Sequence, residues 1–542
     1  MAAEGRPAKR LRTAGADAAP FFSLGRDTYR VPMAMHAENR DRLVNAMGSI
    51  EADGLVVLKG GEAELRHDTD HERIFRQESY FNWAFGVREP DCFGIIDLKT
   101  GEATLLVPRL TDEVEPWVGA VEKPESFQTR YAVDAVKYVD ELKDLIADTA
   151  MVHVLLGQNS DSGNWATPAV DDAFFAGCAK PPKVETGVLF KVIADLRVFK
   201  TKTELALLQH VSNLTSAAHV DVMRNVYPGM GEYQLESLFH HYIYYRGGCR
   251  LLAYTCICAC GPNAATLHYG HAGAPNDRTL EAKDIALLDM GAEYHCYCSD
   301  ITCSFPVSGK FDDRQRMVYN GVLNAVRAVE EAMKPGIAWP DMHRLATRSI
   351  LEHLTKNGLL SGDVDDMVEA NLGKVFLPCG LGHFIGLDTH DVGGYLDGYP
   401  KRIDEGPYGI KKLRTARVLA EGMVLTVEPG IYFIKSLIDM AQADPALSKF
   451  LTPKLDEFRD FGGVRLEDVV AVTADGIDNY TLCPRTIDEI ESVMSGGAWP
   501  PVVDEAKYLS RRWKATPKRT FSSWADIKGA EKAAASEAAA CC

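Results

Sequence analysis

Four carboxylates, each within or beside a strand-like run, constrain this chain more than any other feature of its sequence. They are Asp289 at the end of Ile285–Asp289, Asp300 within residues 298–303, Glu428 after residues 423–427 and Glu467 after residues 461–466. A charged carboxylate flanked by Val, Leu and Ile is unfavourable unless a cation or a hydrogen-bond donor meets it. A single case is usually a salt-bridged acid at a strand end. Four cases, together with a histidine between glycines, indicate one shared site.

That histidine is His383, in the segment GLGHFIG at residues 380–386. Spacing adds to the argument, because Asp289 and Asp300 are eleven residues apart and an odd separation lets them lie opposite each other in a hairpin. Residues 291–297 would supply the turn, although they lack an Asn-Gly pair. Opposed carboxylates repel each other, and a bridging metal ion would remove that repulsion.

The donor set predicts two divalent metal ions. Two such ions come close to balancing four carboxylates and a bridging hydroxide. Ligation mainly by oxygen with one imidazole suits manganese, cobalt or zinc, and its hard character favours Mn²⁺. Ions roughly 3.5–4 Å apart would activate water and polarise a scissile carbonyl.

The length of 542 residues favours two domains over one core. Strand-like runs at residues 54–58, 93–97 and 103–107, with a helix predicted at 133–145, indicate an α/β domain. We predict an arm over 1–25, this first domain over 26–190, a second domain over 195–495, and a tail over 500–542.

The second domain is predicted to be α+β, with helices on one side of an antiparallel sheet. A long helix starts near Lys200, where Thr203 is the predicted N-cap and Glu204 lies in the first turn. Further helices are predicted at 313–333 and 340–356. The predicted strands cover residues 285–290, 294–305, 424–434 and 463–473.

Charge and hydropathy exclude two classes of partner. Lys and Arg total 59 against 76 Asp and Glu, a formal net charge of −17. A duplex binder needs a basic face, so we expect no nucleic-acid partner. No run of eighteen apolar residues occurs, so we expect no membrane span. The thirteen cysteines are scattered, and we expect reduced, buried thiols, such as Cys256, Cys258 and Cys260 on one face of a strand.

Two short signals concern localisation. The basic run at residues 9–12 resembles a nuclear-import patch, and Cys541–Cys542 resembles a prenylated end without its basic helper. Neither is extensive, and a cytoplasmic location is the default expectation.

The order Asp, Asp, His, Glu, Glu resembles that of the metallopeptidase family that contains prolidase, aminopeptidase P, creatinase and methionine aminopeptidase. From about residue 20 to 495 the chain is most similar to the prolidase branch. The segments that carry this resemblance are RQESYFNWAFG (76–86), LHYGHAGAPN (267–276), SDITCSFP (299–306), HDVGGY (390–395) and LRTAR (413–417). The resemblance implies a creatinase-like α/β domain, a C-terminal "pita-bread" domain and a homodimer.

The resemblance also implies roles for single residues. The metal ligands would be Asp289, Asp300, His383, Glu428 and Glu467. Glu428 would also handle the transferred proton, His268 would contact the substrate, and His390 would hydrogen-bond the carbonyl oxygen as it becomes tetrahedral. The guanidinium of Arg414 would hold the substrate carboxylate. For Arg465 a substrate or supporting role and a strand-surface salt bridge remain open. Tyr254 lines the substrate pocket in one interpretation and belongs to the core in the other.

The implied function is a dinuclear-metal dipeptidase that cleaves Xaa-Pro bonds and releases proline. One alternative is an aminopeptidase P-like activity, which removes Xaa from longer Xaa-Pro peptides and would not depend on Arg414. Another is a metal-free binding protein on the same fold, although such a protein would be expected to lose ligands. The chain departs from the prolidase pattern at Cys379, where a histidine is usual, and this puts catalytic efficiency in doubt.

Overall fold

The computed structural model describes residues 19–26, 28–50, 52–500 and the backbone of 513–515. The predictions for residues 1–18, 501–512 and 516–542, including those for residues 9–12 and Cys541–Cys542, concern residues outside this description. The chain forms two compact units, one with residues up to Leu156 plus Ala166–Val192 and one with Gly157–Trp165 plus residues from Ile193 onward. The exact domain limits inferred from the sequence stay predictions.

The first unit is built on a mixed six-stranded sheet of order β6-β5-β4-β3-β7-β8. Its strands are β1 Phe21–Phe22, β2 Val31–Pro32, β3 Leu55–Lys59, β4 Phe93–Asp97, β5 Ala103–Val107, β6 Ala135–Tyr138, β7 Met151–Val154 and β8 Lys183–Glu185. Its helices are α1 Ala34–Ser49, α2 Ser79–Phe85, α3 Glu115–Val118, α4 Pro124–Tyr131, α5 Leu142–Ile146 and α6 Leu189–Val198, the last of which reaches beyond this unit. Val57, Ile95, Leu106 and Val152 from neighbouring strands pack into one buried cluster.

The strands expected at 93–97 and 103–107 are confirmed, and that at 54–58 is shifted by one residue. The helix predicted over 133–145 is wrong, because this stretch holds strand β6 and then the short helix α5. Val136 and Tyr138 pair with Leu105 and Val107 of β5 in parallel register. Pairing with an open sheet edge satisfies the backbone of this stretch, and that tertiary gain overrides its helical spacing.

The second unit contains antiparallel pairs only among its described strands, as predicted. These strands are β9 Leu251–Leu252, β10 Ile257–Cys260, β11 Ile285–Asp289, β12 Ala292–Tyr294, β13 Tyr297–Cys298, β14 Thr302–Pro306, β15 Val424–Val427, β16 Gly430–Tyr432, β17 Gly463–Arg465, β18 Asp468–Val472, β19 Ile477–Asn479 and β20 Trp513–Ala515. The helices are α7 Lys202–Asn225, α8 Glu232–Gly247, α9 Asp313–Ala332, α10 Trp339–Lys356, α11 Val364–Glu369, α12 Lys435–Ala443, α13 Pro445–Ser448 and α14 Ile487–Met494. Val329 of α9 and Trp339 of α10 pack with Leu425 and Val470 in a buried core.

Helix α7 begins two residues before the predicted start. Thr201, not Thr203, is its N-cap: the Thr201 hydroxyl accepts a hydrogen bond from the Glu204 backbone N–H, and the Glu204 carboxylate accepts one from the Thr201 N–H. This reciprocal pair is a capping box, which satisfies two backbone donors that the first turn leaves unpaired. The predicted position of Glu204 in the first turn is confirmed.

Three predicted long strands are broken, and each break lies beside a predicted metal ligand. The stretch 294–305 divides into three short strands, with Asp300 just before β14. Residues 428–429 separate β15 from β16, and residues 466–467 separate β17 from β18. At these breaks the Glu428 N–H donates to the carbonyl of Leu381, and the Glu467 N–H to that of Thr302. The backbone therefore leaves the sheet ladder where the carboxylates stand.

Asp289 and Asp300 do not lie opposite each other, so that prediction is wrong. The register of β11 and β14 places Thr302 opposite Asp289. The intervening residues form their own hairpin, β12–β13, whose two turn residues His295 and Cys296 have φ of 51° and 65°. A two-residue hairpin turn needs this left-handed conformation even without Asn-Gly, and the extra hairpin displaces Asp300 from the position that a simple turn would give it.

The described cysteines are all free, and most of them are buried, including Cys256, Cys258 and Cys260. This confirms the expectation of buried thiols for the part of the chain that the structure covers. Within the same part, no helix is long and apolar enough to cross a membrane.

Candidate metal centre and substrate cavity

A cavity of about 1100 Å³ in the second unit gathers the residues that the sequence singled out. The ten predicted site residues all line it: Asp289, Asp300, His383, Glu428, Glu467, His268, His390, Arg414, Arg465 and Tyr254. They come from strands, strand breaks and loops up to about 200 residues apart in sequence, and the fold brings them together.

The acidic side of this cavity is compact. The Tyr254 hydroxyl lies 2.5 Å from Oδ1 of Asp289 and 2.5 Å from Oδ1 of Asp300. His383 Nε2 lies 3.4 Å from Asp300 Oδ2 and 3.4 Å from Glu428 Oε1. One ligand atom from each of Asp300, His383 and Glu467 lies within 4.8 Å of the other two. These are distances that a common cation can span.

The imidazole of His383 is oriented by its own backbone. Its Nδ1 lies 3.0 Å from the carbonyl oxygen of Phe384, a contact in which Nδ1–H donates. That tautomer leaves the lone pair of Nε2 facing the carboxylates. Metal-ligating histidines are commonly held in this way by a carbonyl on the far side of the ring.

Burial disfavours the charged forms of these carboxylates. It raises the pKa of Asp289 to about 7, against the attraction of Arg465 and with the help of Asp300. Burial also raises the pKa of Glu428 and, with the nearby Asp300, that of Glu467. Asp300 differs: burial alone would raise its pKa, but its interactions with His383, when that ring is protonated, and with the Tyr254 hydroxyl together lower it. Without a cation, the cluster holds protons that free carboxylates would release at neutral pH.

This donor set fits a pair of divalent cations. The buried Asp289, Asp300 and Glu467 and the half-buried Glu428 offer hard oxygen ligands, and one imidazole offers nitrogen with its lone pair, in the neutral ring, turned inward. Cations would compensate the negative charge whose burial raises the pKa of Asp289, Glu428 and Glu467.

Arg465 and Thr302 connect two of the carboxylates. Arg465 Nη2 donates to Asp289 Oδ2 at 2.6 Å, Nη1 to the Tyr432 hydroxyl at 2.8 Å and Nε to the Thr302 hydroxyl at 3.0 Å. The Thr302 hydroxyl in turn donates to Glu467 Oε2 at 2.7 Å. Arg465 and Tyr254 therefore support predicted ligands as well as lining the cavity.

Sequence reasoning missed Thr302 and Tyr432. Thr302 stands two residues after Asp300, on the strand paired with Asp289, so strand periodicity held a signal for it. Nothing in the spacing identified Tyr432, whose contact with Arg465 depends on the pairing of β16 with β17.

His268 and His390, the two histidines predicted to contact substrate, are held neutral. His383 and His390 meet edge to face, with ring centroids 4.5 Å apart. Burial, with the nearby His383 and Arg414, lowers the pKa of His390 to about 2, and burial also lowers that of His268. Asp391, next to His390, is buried and held by Arg197 at 2.7 Å and Lys200 at 3.0 Å. The loop that carries His390 is thus anchored on its far side.

Another part of the cavity wall is cationic, with Arg402, Lys411, Lys412 and Arg414. Arg414 is partly exposed, and its Nη1 lies 3.4 Å from Asp161 Oδ2. Among the described residues, Nε and Nη2 of Arg414 meet no hydrogen-bond partner. One edge of this guanidinium is therefore open to an anionic ligand.

Cys379 also lines the cavity and is half-buried. Burial, together with the neighbouring Glu428, raises the pKa of its thiol to about 12. The side chain is consequently uncharged at neutral pH and is a weak hydrogen-bond donor there.

Comparisons with known proteins agree with this geometry. Residues 206–474 match the model of metallopeptidase family M24, and residues 36–154 match that of the aminopeptidase P N-terminal domain. A Xaa-Pro dipeptidase of Rattus norvegicus is 52% identical over 483 residues, which cover 88% of this chain and 96% of that protein. A probable Xaa-Pro aminopeptidase of Verticillium alfalfae is 37% identical, over 81% of this chain and 92% of its own.

Among solved structures, the aminopeptidase PepP of Pseudomonas aeruginosa matches with a TM-score of 0.70 and 28% sequence identity. The match covers 87% of this chain and 99% of that one. It therefore extends over both compact units.

We expect the substitution Thr302→Val to weaken binding of Mn²⁺ about tenfold, because loss of a group that orients metal ligands typically costs 10–100-fold in affinity. Valine keeps the volume of threonine but removes the hydroxyl that links Glu467 to Arg465. Calorimetric titration of metal-free protein measures the affinity. Thr302→Ser, which keeps the hydroxyl, is the control, and equal affinities of the two variants would contradict the prediction.

Proposed function

The chain belongs to metallopeptidase family M24, and on that premise we propose that it is a metallo-exopeptidase that hydrolyses Xaa-Pro dipeptides and releases proline. The observation that carries this proposal is the pairing, in one cavity, of a buried carboxylate cluster with an arginine whose outer edge is open. The first suits metal-assisted hydrolysis, and the second suits a substrate that ends in a free carboxylate.

Asp289, Asp300, His383, Glu428 and Glu467 would hold the two ions. When bound, paired divalent ions supply an activated water and polarise the scissile carbonyl. Arg465, Tyr254 and Thr302 hold the carboxylates in place through the hydrogen bonds described above.

Protein side chains supply the remaining steps. Glu428, at the break between β15 and β16, would accept a proton from the attacking water and return it to the leaving proline nitrogen. Neutral His390 can donate a hydrogen bond to the carbonyl oxygen as negative charge develops there, because its low pKa leaves one N–H and no positive charge. His268, also kept neutral by burial, would contact the bound peptide.

Arg414 would bind the carboxylate of the proline residue. Its Nε and Nη2 form the side of the guanidinium that binds a carboxylate through two parallel hydrogen bonds. A peptide that continues past proline would place an amide there and leave the arginine without an anionic partner. This favours dipeptidase activity over the aminopeptidase P-like alternative. The presence of all five ligand residues disfavours a metal-free binding protein.

The same proposal also covers the identity of the metal, the oligomeric state and the location of the protein in the cell. The oxygen-rich donor set supports Mn²⁺, with Co²⁺ and Zn²⁺ as the other candidates. A homodimer and a cytoplasmic location follow only from the resemblance to prolidases, and light scattering and cell fractionation would test them.

We expect Arg414→Met to lower kcat/KM for Gly-Pro by at least about 30-fold, since losing one partner of a desolvated charge pair costs about 2–5 kcal/mol. Gly-Pro amide, which has no carboxylate, should change by less than about threefold on the same basis. Steady-state assays on both substrates give the two ratios. An equal loss of kcat/KM on both substrates would show that Arg414 does not recognise the carboxylate.

Removal of metal should abolish Gly-Pro hydrolysis, and Mn²⁺ should restore more activity than Zn²⁺ because oxygen ligands dominate the site. Added Mn²⁺ should also raise the thermal midpoint of the stripped protein, since a ligand that binds only the folded state stabilises it. The Asp289→Asn variant should show a much smaller rise. A larger recovery with Zn²⁺ would overturn the choice of manganese, and full activity without metal would overturn the mechanism.

Replacement of Cys379 by histidine should raise kcat for Gly-Pro at least about tenfold, because a positioned acid–base group typically contributes 10²–10⁴-fold. The native thiol is neutral at pH 7 and cannot serve as a charged donor. Cys379→Ser, a small neutral replacement, is the control. Equal rates for the two variants would mean that the cysteine does not limit turnover.

A further inference from the structure

Asp161 reaches the substrate cavity from a segment far from the other site residues in sequence. Residues 157–165 belong to the second unit although the residues on either side of them belong to the first. Ser160 and Asp161 are the members of this segment that line the cavity. Nothing in the amino-acid sequence connects this segment with Arg414, more than 250 residues later.

The segment is a tight loop that fixes the position of Asp161. The side chain of Asn159 accepts hydrogen bonds from the backbone N–H groups of Asp161, at 2.8 Å, and Ser162, at 3.0 Å. The Asn159 N–H donates to the carbonyl of Asn164, and the Gly163 N–H donates back to that of Asn159. Gly163 has φ of 73°, which a residue with a side chain rarely adopts. Local bonds therefore hold the loop before any substrate arrives.

Asp161 contacts two guanidinium groups, one with each carboxylate oxygen. Oδ1 lies 3.4 Å from Nη2 of Arg402, and Oδ2 lies 3.4 Å from Nη1 of Arg414. Arg402 also donates from Nη2 to the Ser160 carbonyl and from Nη1 to the Leu413 carbonyl, just before Arg414. The guanidinium of Arg402 lies over the ring of Tyr395, 4.4 Å from its centroid. The loop and the Arg414 segment are thus joined by side chains and by backbone.

We propose that Asp161 is the positioning residue for Arg414, and that it thereby sets the preference for substrates with a free carboxylate directly after proline. The inference rests on the proposed function and adds to it a residue from outside the family-like motifs. Asp161 acts through Arg414 and does not touch the reacting atoms.

The geometry favours positioning over competition with the substrate. Asp161 uses only Nη1 of Arg414, which leaves the Nε and Nη2 edge free for the substrate carboxylate. Both anions can therefore bind the same guanidinium at once. Asp161 also separates the like charges of Arg402 and Arg414, whose repulsion would otherwise move the flexible arginine side chain away from its binding position.

The test is a comparison of wild-type protein with Asp161→Asn, which keeps the shape of the side chain and removes its charge. We expect KM for Gly-Pro to rise about tenfold, which corresponds to about 1.4 kcal/mol. We expect kcat to stay within about twofold and the kinetics on Gly-Pro amide to be unchanged, since an interaction made equally in ground and transition states affects only KM. An unchanged KM, or a lowered KM that would identify Asp161 as a competitor, overturns the inference.

Asp404→Asn is the matched control. Asp404 pairs with Lys411 of the same cationic wall at 2.5 Å. It is well exposed and forms no ion pair with Arg414. The same chemical change there should leave KM for Gly-Pro within about twofold, as expected for an exposed ion pair. An equal rise in both variants would mean that general loss of negative charge, and not the contact with Arg414, sets KM, and would overturn the inference.

A double-mutant cycle separates this inference from the proposed function. If Asp161 acts through Arg414, adding Asp161→Asn to Arg414→Met should cause no further rise in KM, whereas independent effects would add. Additive effects overturn the inference. If Arg414→Met alone leaves Gly-Pro hydrolysis intact, the carboxylate-binding role itself fails. If Arg414→Met is impaired and Asp161→Asn is not, only the role of Asp161 fails.

Discussion

Mutual repulsion among the clustered carboxylates of Asp289, Asp300, Glu428 and Glu467 is the constraint on which the rest of the second unit depends. Burial and like charge together raise the pKa of three of the four, so the cluster cannot be fully ionised without compensation. Part of that compensation is built in, because Arg465 contacts Asp289 and the Tyr254 hydroxyl bridges two carboxylates. The remainder suits exchangeable cations.

Secondary structure yields to this constraint. An unbroken strand alternates its side chains between two faces, so its register alone decides which face an acid occupies. The breaks at residues 428–429 and 466–467 release Glu428 and Glu467 from that alternation, and the displaced Asp300 stands just before its own strand. Their backbone groups remain bonded, to the carbonyls of Leu381 and Thr302 for the two glutamates, so the cost of leaving the ladder is small.

This balance explains what the sequence could and could not predict. The five ligand candidates were visible because charged residues in apolar runs demand a physical reason, and helices α9 and α10 were visible through their strong periodicity. The register of β11 against β14 could not be predicted from the sequence. Asp289 pairs with Thr302 because an additional hairpin is inserted, and only the folded sheet reveals this pairing. The error over 133–145 has a similar origin, since an open sheet edge decided that segment. Asp161 was beyond sequence reasoning because its partners depend on the tertiary path of a loop.

The chemistry of proline accounts for the division of the cavity into acidic and cationic walls. The nitrogen of an Xaa-Pro bond carries no hydrogen, so an enzyme that recognises peptide N–H groups loses its central contact with such a substrate. Recognition must then come from the ends of a dipeptide, one a charged amine and the other a carboxylate. Arg414 and Arg402 supply a cationic wall for the carboxylate, and the carboxylate cluster, with the proposed metal ions, is left for hydrolysis of the bond. Binding energy placed at the ends would fix the length of the peptide more strictly than the identity of Xaa, and on our proposal a charge beside Arg414 would affect specificity although it lies away from the bond that breaks.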